Sequence, residues 1–194
     1  MLEPADPRDA LVFYYRLARQ HGLNDSHSGN ASVRDGDTVW VTPTGCCADT
    51  LEANDLIACG MDGSVGESAS LDGPMHVKVY QKNPEATAVL HTHNPHTVAL
   101  TMNGKAFKPI DFEGQYYFPE VPVINAGYAE YVEKSADLIS DALASNKAVV
   151  YRGHGVYVQG KTLDLAYKWA CSLELSARTA WLALQAGTAK EAGQ

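Results

Sequence analysis

Residues 86–93 read Ala86-Thr87-Ala88-Val89-Leu90-His91-Thr92-His93. A short run of small and β-branched apolar residues predicts a buried strand over 86–91. Its ending decides what the strand is for. Side chains two apart on a strand point to one face, so His91 and His93 present two imidazoles to the same side and can share one metal ion. A catalytic zinc has three protein ligands and one open position, so a third nitrogen is required. His154 supplies it: in Arg152-Gly153-His154-Gly155, between predicted strands at 148–151 and 156–158, flanking glycines let the backbone bend the ring inward. Each motif alone is ordinary; the weight comes from two of them at strand edges.

Outward from this centre the chain alternates helices and short strands. Asp6 as cap, Pro7 in the first turn and Gly22 as terminator predict a helix over 6–21. Residues 24–36, rich in Asn, Asp, Ser and Gly, read as a polar loop. A strand follows at 38–42, then the turn Thr42-Pro43-Thr44-Gly45. A loose stretch at 60–73 leads into a helix over 75–81. Further helices are expected at 95–102 and 135–143, and a strand at 121–124. Leu163, Ala166, Ala170, Leu173, Ala177, Ala180 and Leu184 recur at three and four, which predicts a long final helix. Residues 188–194 read as a frayed tail. With no repeat or linker, 1–194 reads as one α/β domain. The irregular loops do not fit a doubly wound fold, and no GxGxxG or Walker loop is present.

Composition narrows the function. Fifteen basic residues against 23 acidic ones give a formal net charge of -8, and the basic residues form no run, which argues against nucleic acid. No apolar stretch approaches a membrane span, and Met1-Leu2-Glu3-Pro4 does not read as a signal peptide. Cys46, Cys47, Cys59 and Cys171 form no CxxC pair, which suggests reduced thiols and a cytoplasmic protein. Of the other histidines, His76 reads as a core or supporting residue and His96 as a packed one. His21 and His27 read as solvated.

Five segments carry a wider resemblance: Ser28-Gly29-Asn30-Ala31-Ser32-Val33-Arg34, Thr42-Pro43-Thr44-Gly45, Ser70-Leu71-Asp72 with His76, Val89-Leu90-His91-Thr92-His93, and Arg152-Gly153-His154-Gly155. In this order and spacing the chain resembles the class II aldolase/adducin family over roughly residues 8–185. The resemblance implies a three-layer α/β fold, with a central, mainly antiparallel sheet flanked by helices on both faces. It implies a homotetramer with active sites between subunits. It matches His91, His93 and His154 to zinc ligands, with Mn2+, Co2+ or Fe2+ as alternatives. Asn30, Thr44, Gly45 and Ser70 match residues that hold a substrate phosphate, and hydroxyls, an amide and turn N–H groups make an anion cradle. Asp72 matches the catalytic acid–base position. Its ordinary reading is a helix cap before Gly73-Pro74.

The activity implied is class II aldol chemistry on a sugar phosphate. A ketose phosphate is cleaved to dihydroxyacetone phosphate and an aldehyde, with a divalent metal stabilising the enediolate. Epimerisation of a pentulose phosphate and decarboxylation are the alternatives, and a non-catalytic adducin-like binding module is a further one. Asp72 favours the epimerase, since the family's aldolases carry Glu there. Three positions depart from the family pattern. Leu71 replaces a second phosphate-binding serine, and a hydrophobic lining around it would argue for an unphosphorylated substrate. Phe112 stands where a proton-donating tyrosine is expected, and a donor from a longer C-terminal tail is missing. Tyr116, Tyr117, Tyr128 and Tyr131, with Asp111 and Glu113, are the candidates to fill that gap.

Overall fold

The computed structural model describes residues 4–189. Seven strands form one sheet in the order β3-β2-β1-β4-β7-β6-β5. They are β1 (Asn30–Asp35), β2 (Thr38–Val41), β3 (Ile57–Gly60), β4 (Ala88–Thr92), β5 (Val123–Ile124), β6 (Ala148–Tyr151) and β7 (Gly155–Gly160). Every pairing is antiparallel except β5 with β6 at the edge. The helices are α1 (Pro7–Gln20), α2 (Gly73–Lys82), α3 (Pro95–Leu100), α4 (Phe112–Tyr117), α5 (Tyr131–Leu143) and α6 (Leu163–Ala186). Helices α1 and α6 cover one face of the sheet, with α3 and α4 against α6; α2 and α5 cover the other. This is the three-layer, mainly antiparallel architecture that the resemblance implied.

Local chemistry sets the helix ends. Asp6 accepts from the Arg8 N–H at 2.8 Å and opens α1. Thr162 accepts from the Leu165 N–H at 3.1 Å and opens α6, whose repeat buries Leu163, Ala166, Ala170, Leu173, Ala177 and Ala180. Leu184, on the same stripe, is exposed because α6 runs on past the sheet. Most of the tail expected at 188–194 lies outside the described residues; Thr188 and Ala189 still bond back to the Ala183 carbonyl.

Four expectations need correction. The presumed loop at 24–36 contains β1, an interior strand paired with both β2 and β4. Its Asn30 and Ser32 are polar yet buried, because distant side chains satisfy them: Ser32 Oγ lies 2.7 Å from both His76 Nδ1 and Tyr80 Oη. Strand β3 and helix α4 were absent from the expected elements; Asp111 caps α4 by accepting from the Gly114 N–H at 3.0 Å. Helix α5 starts at Tyr131 rather than at 135. The strand expected at 121–124 pairs in parallel only at Val123 and Ile124, with Val121 bridging back to Phe107.

Candidate metal centre and active site

The antiparallel register of β1, β4 and β7 sets Asn30 opposite His91 and His91 opposite Tyr157. On each of these strands alternate residues face α2 and α5, so Asn30, Ser32, Val89, His91 and Tyr157 lie on one side. The β6–β7 hairpin returns His154 to the same end. Gly155 makes this possible: a Cβ there would sit 2.6 Å from His91 Cε1 and 2.6 Å from the Thr92 carbonyl. Only glycine lets the hairpin approach the rings so closely.

Three imidazoles converge. His91 Nε2 lies 3.1 Å from His93 Nε2 and 3.3 Å from His154 Nε2, and no other His, Cys, Asp or Glu group of this kind occurs among the described residues. Nitrogens bound tetrahedrally at about 2.0–2.1 Å from one zinc stand about 3.3 Å apart; the two spacings from His91 match this, and all three ligand atoms lie within 4.8 Å of one another. The orientation fits as well. His91 Nδ1 donates to the Val156 carbonyl at 3.1 Å, which leaves the Nε2 lone pair free to face the cluster. The His91 ring also stacks on Tyr157, with centroids 4.0 Å apart and planes within 4°. His93 is held through its backbone N–H, which donates to Asn24 Oδ1 at 2.9 Å.

The electrostatics suit ligation. Burial lowers the pKa of His91 well below the usual imidazole range, with the neighbouring His154 and His93 adding to it. Burial lowers His93 and His154 too. All three are neutral at neutral pH, the form in which an imidazole binds a metal.

Asp72 is buried beside the cluster and does not cap α2 through its side chain. Its Oδ1 accepts from the Tyr131 hydroxyl at 2.6 Å, and its Oδ2 accepts from Asn30 Nδ2 at 2.9 Å and from the Tyr157 hydroxyl at 3.5 Å. The Tyr157 hydroxyl in turn stands 3.4 Å from His91 Nε2 and 3.4 Å from His154 Nδ1. Burial pushes the Asp72 carboxyl up, but the His91 imidazole and the hydrogen bonds from Tyr131 and Asn30 outweigh it, and the group stays below the usual carboxylate range. It is therefore a carboxylate among donors. His76 supports it from behind: its Nε2 lies 2.6 Å from Asn30 Oδ1, fixing the amide that donates to Asp72.

The remaining matched residues lie next to Asp72. Ser70 donates its backbone N–H to the Thr42 carbonyl at 3.0 Å, and Pro43 bridges to Ala69. Thr42 is tied to β1, where its hydroxyl accepts from the Ala31 N–H at 3.1 Å. This brings the Thr44-Gly45 turn, Ser70 and Asn30 to one rim. Thr44 and Gly45 are exposed, and Gly45 has φ +63°, which turns the backbone there. Leu71 does not join them. It is 63% exposed and lines a cavity of about 560 Å³ with Ala126, Tyr128, Ala129 and Val132, closed by Tyr131 and His154. The lining around Leu71 is thus largely apolar, but Arg152 stands on the same wall.

Among the candidate proton donors only Tyr131 reaches the cluster of its own chain. Phe112, Tyr116 and Tyr128 are largely exposed, Tyr117 packs on Trp169, and Asp111 faces α4 and α6, where its Oδ2 accepts from the Gly114 N–H and Ser176 Oγ. Glu113 is exposed. His96 is packed as expected, with Nδ1 2.7 Å from Glu174 Oε1. His21 is exposed but touches the Tyr167 hydroxyl. Tyr157 was missed: it reads as one residue of an apolar strand, and only its register opposite His91 signals its place.

Residues 9–181 match the family model of the class II aldolase and adducin N-terminal domain, so the chain belongs to the class II aldolase/adducin family. Within it, the chain is 31% identical over 183 residues to the 5-methylthioribulose-1-phosphate/5-deoxyribulose-1-phosphate aldolase of Rhodospirillum rubrum, covering 92% of this chain and 81% of the relative. It is 29% identical over 181 residues to an L-ribulose-5-phosphate 4-epimerase of Salmonella typhi, covering 84% and 79%. The crystal structure of L-fuculose-1-phosphate aldolase from Thermus thermophilus superposes with a TM-score of 0.88 at 29% identity, covering 97% of this chain and 100% of that one.

Proposed function

We propose that this protein is a divalent-metal-dependent aldolase that reversibly cleaves a ketose phosphate into dihydroxyacetone phosphate and an aldehyde. The observation that carries the reading is the convergence of three neutral imidazoles on one point, one tyrosine hydroxyl away from a buried carboxylate. His91, His93 and His154 would hold the ion, which supplies Lewis acidity toward a carbonyl and its neighbouring hydroxyl. Asn30, Thr44, Gly45 and Ser70 bind and orient the phosphate. Asp72 moves the proton on the carbon that the broken bond leaves electron-rich, held for that task by Asn30. The names of the relatives, two aldolases and an epimerase of sugar phosphates, support the substrate class. The protein acts as a homotetramer in the cytoplasm.

A second reading is 4-epimerisation of a pentulose phosphate through the same cleavage. Asp rather than Glu at position 72 favours it. The apolar surroundings of Leu71 bear on the substrate under either reading. They leave room for an apolar group, while Arg152 on the same wall offers a positive charge to an anionic one.

The test is product analysis with metal analysis on the same preparation, for the native protein and His93→Ala. The native protein should carry about one divalent ion per chain and release an aldehyde and dihydroxyacetone phosphate. His93→Ala should lose both metal and turnover. Full activity in a metal-free variant contradicts the reading, and an epimer without free aldehyde selects the second one.

A further inference from the structure

Aldol chemistry needs a second proton carrier, for the oxygen that becomes the aldehyde, and Phe112 has no proton to give. We propose that Tyr131 is this catalytic group and that it shares a single proton with Asp72; the proposal rests on the aldolase reading above. Tyr131 is the first residue of α5, and its hydroxyl is 2.6 Å from Asp72 Oδ1. The same side chain forms part of the wall of the 560 Å³ cavity, and its ring lies 4.8 Å from that of His154. It therefore spans from the carboxylate to the open space beside the imidazole cluster. Tyr157 fixes it there, with the two hydroxyls 2.5 Å apart. Tyr157 is itself fully buried and stacked on His91, so it positions Tyr131 without reaching the cavity.

The relay balances. In cleavage, the hydroxyl on the far side of the scissile bond gives its proton to Tyr131 Oη as Tyr131 gives its own to Asp72 Oδ1. The C–C bond breaks, and its electron pair stays on the ketone half. Asp72 then delivers the proton to that carbon. Tyr131 and Asp72 finish as they began, and no proton is taken from outside. Addition runs the same steps backward: Asp72 removes a proton from the hydroxymethyl carbon of dihydroxyacetone phosphate, and Tyr131 donates one to the aldehyde oxygen as the new bond forms. Asp72 serves the carbon and Tyr131 the oxygen, so the two half-reactions can be separated.

The experiment uses the zinc-loaded protein with dihydroxyacetone phosphate and lactaldehyde. In deuterated water with dihydroxyacetone phosphate alone, exchange at the hydroxymethyl carbon reports Asp72; adding the aldehyde reports both groups. Tyr131→Phe should slow addition about 10²–10⁴-fold while leaving exchange within about 3-fold. Zinc content and calorimetric affinity for dihydroxyacetone phosphate should not change. Tyr157→Phe should give a smaller loss of addition, since Tyr131 keeps its hydrogen bond to Asp72. Undiminished addition in Tyr131→Phe overturns the proposal. So does an equal loss of exchange and addition, which would make Tyr131 a mere support for Asp72. If the native protein catalyses neither process, the aldolase reading itself fails.

Discussion

The two faces of the central sheet use the same strands for opposite ends. Toward α1 and α6, Ala88 and Leu90 of β4 and Val156 and Val158 of β7 meet Leu11, Ala170, Leu173 and Ala177 in a continuous apolar layer. Toward α2 and α5, the alternate residues of β1, β4 and β7 include Asn30, Ser32, His91 and Tyr157, and they meet Asp72, His76, Tyr80 and Tyr131. Both faces are buried. The first is held by area removed from water, which is non-directional. The second has an apolar cluster of its own, with Val89, Ile139, Leu143 and Val149, but around Asp72 it is also held by hydrogen bonds whose donors and acceptors must be matched one by one, since an orphaned buried polar group costs about 1–3 kcal/mol. The contrast predicts a separation of stability from chemistry: damage to the α1–α6 face should leave the site intact, and damage to the hydrogen-bonded end of the α2–α5 face should not.

The largest effect should come from the apolar face. Leu173 is fully buried in that layer, and Leu173→Ala should destabilise by about 2–5 kcal/mol, through lost transfer energy and the cavity left behind. Urea denaturation measures it. Metal content and turnover of the folded fraction should be unchanged; a variant that loses its metal while still folded would show that the faces are coupled.

The next effect belongs to the polar face and depends on pH. Burial lowers the pKa of His76 from 6.5 to about 4. Between those values the unfolded chain binds a proton that the folded one refuses, so stability is present at pH 7 and falls as pH drops below about 6.5. By pH 5 the loss from this group should be about 2 kcal/mol. Urea unfolding of the metal-free protein at pH 7 and pH 5, beside His76→Gln, isolates it: the native protein should lose about that much more than the variant. Equal losses would mean that His76 titrates normally.

The faces also differed in how plainly the sequence announced them. The apolar face was legible because α6 repeats its small and aliphatic residues at helical spacing over six turns, and because β6 and the first half of β4 are apolar. Of the polar face, the HxH pair and the His-Gly turn could be read, because each couples a side chain to a fixed strand geometry. The strand holding Asn30 and Ser32 could not. Its polar residues mimic a loop, and the groups that satisfy them, His76 and Tyr80, lie more than forty positions away. Asp72 resembled a helix cap because it occupies the cap position, and its side chain turns instead to Tyr131 and Asn30. Tyr131 was one of four candidate tyrosines with nothing local to single it out, and Tyr157 gave no signal at all; strand register and the packing of α5 on α2 bring them to the site.

That packing sharpens the comparison at its weakest interaction. Asp72 with Tyr131, Lys78 with Asp137 and Lys82 with Asp141 are all separated by 59 positions. Helices α2 and α5 therefore run side by side in the same direction and in constant register, and both begin at Asp72, where their positive ends favour a carboxylate. The two lysine pairs, at 2.6 and 2.5 Å, form the exposed side of this ladder. Exposed pairs contribute about 0.2–1 kcal/mol each, and screening at high salt removes most of that. The double variant Lys78→Ala, Lys82→Ala should thus lower the urea midpoint only slightly in dilute buffer, with little difference in about 1 M salt. If the register is set by the buried end, turnover should remain at the native level. A marked fall in turnover with zinc retained would mean that the surface pairs, rather than the buried hydrogen bonds, hold Tyr131 against Asp72.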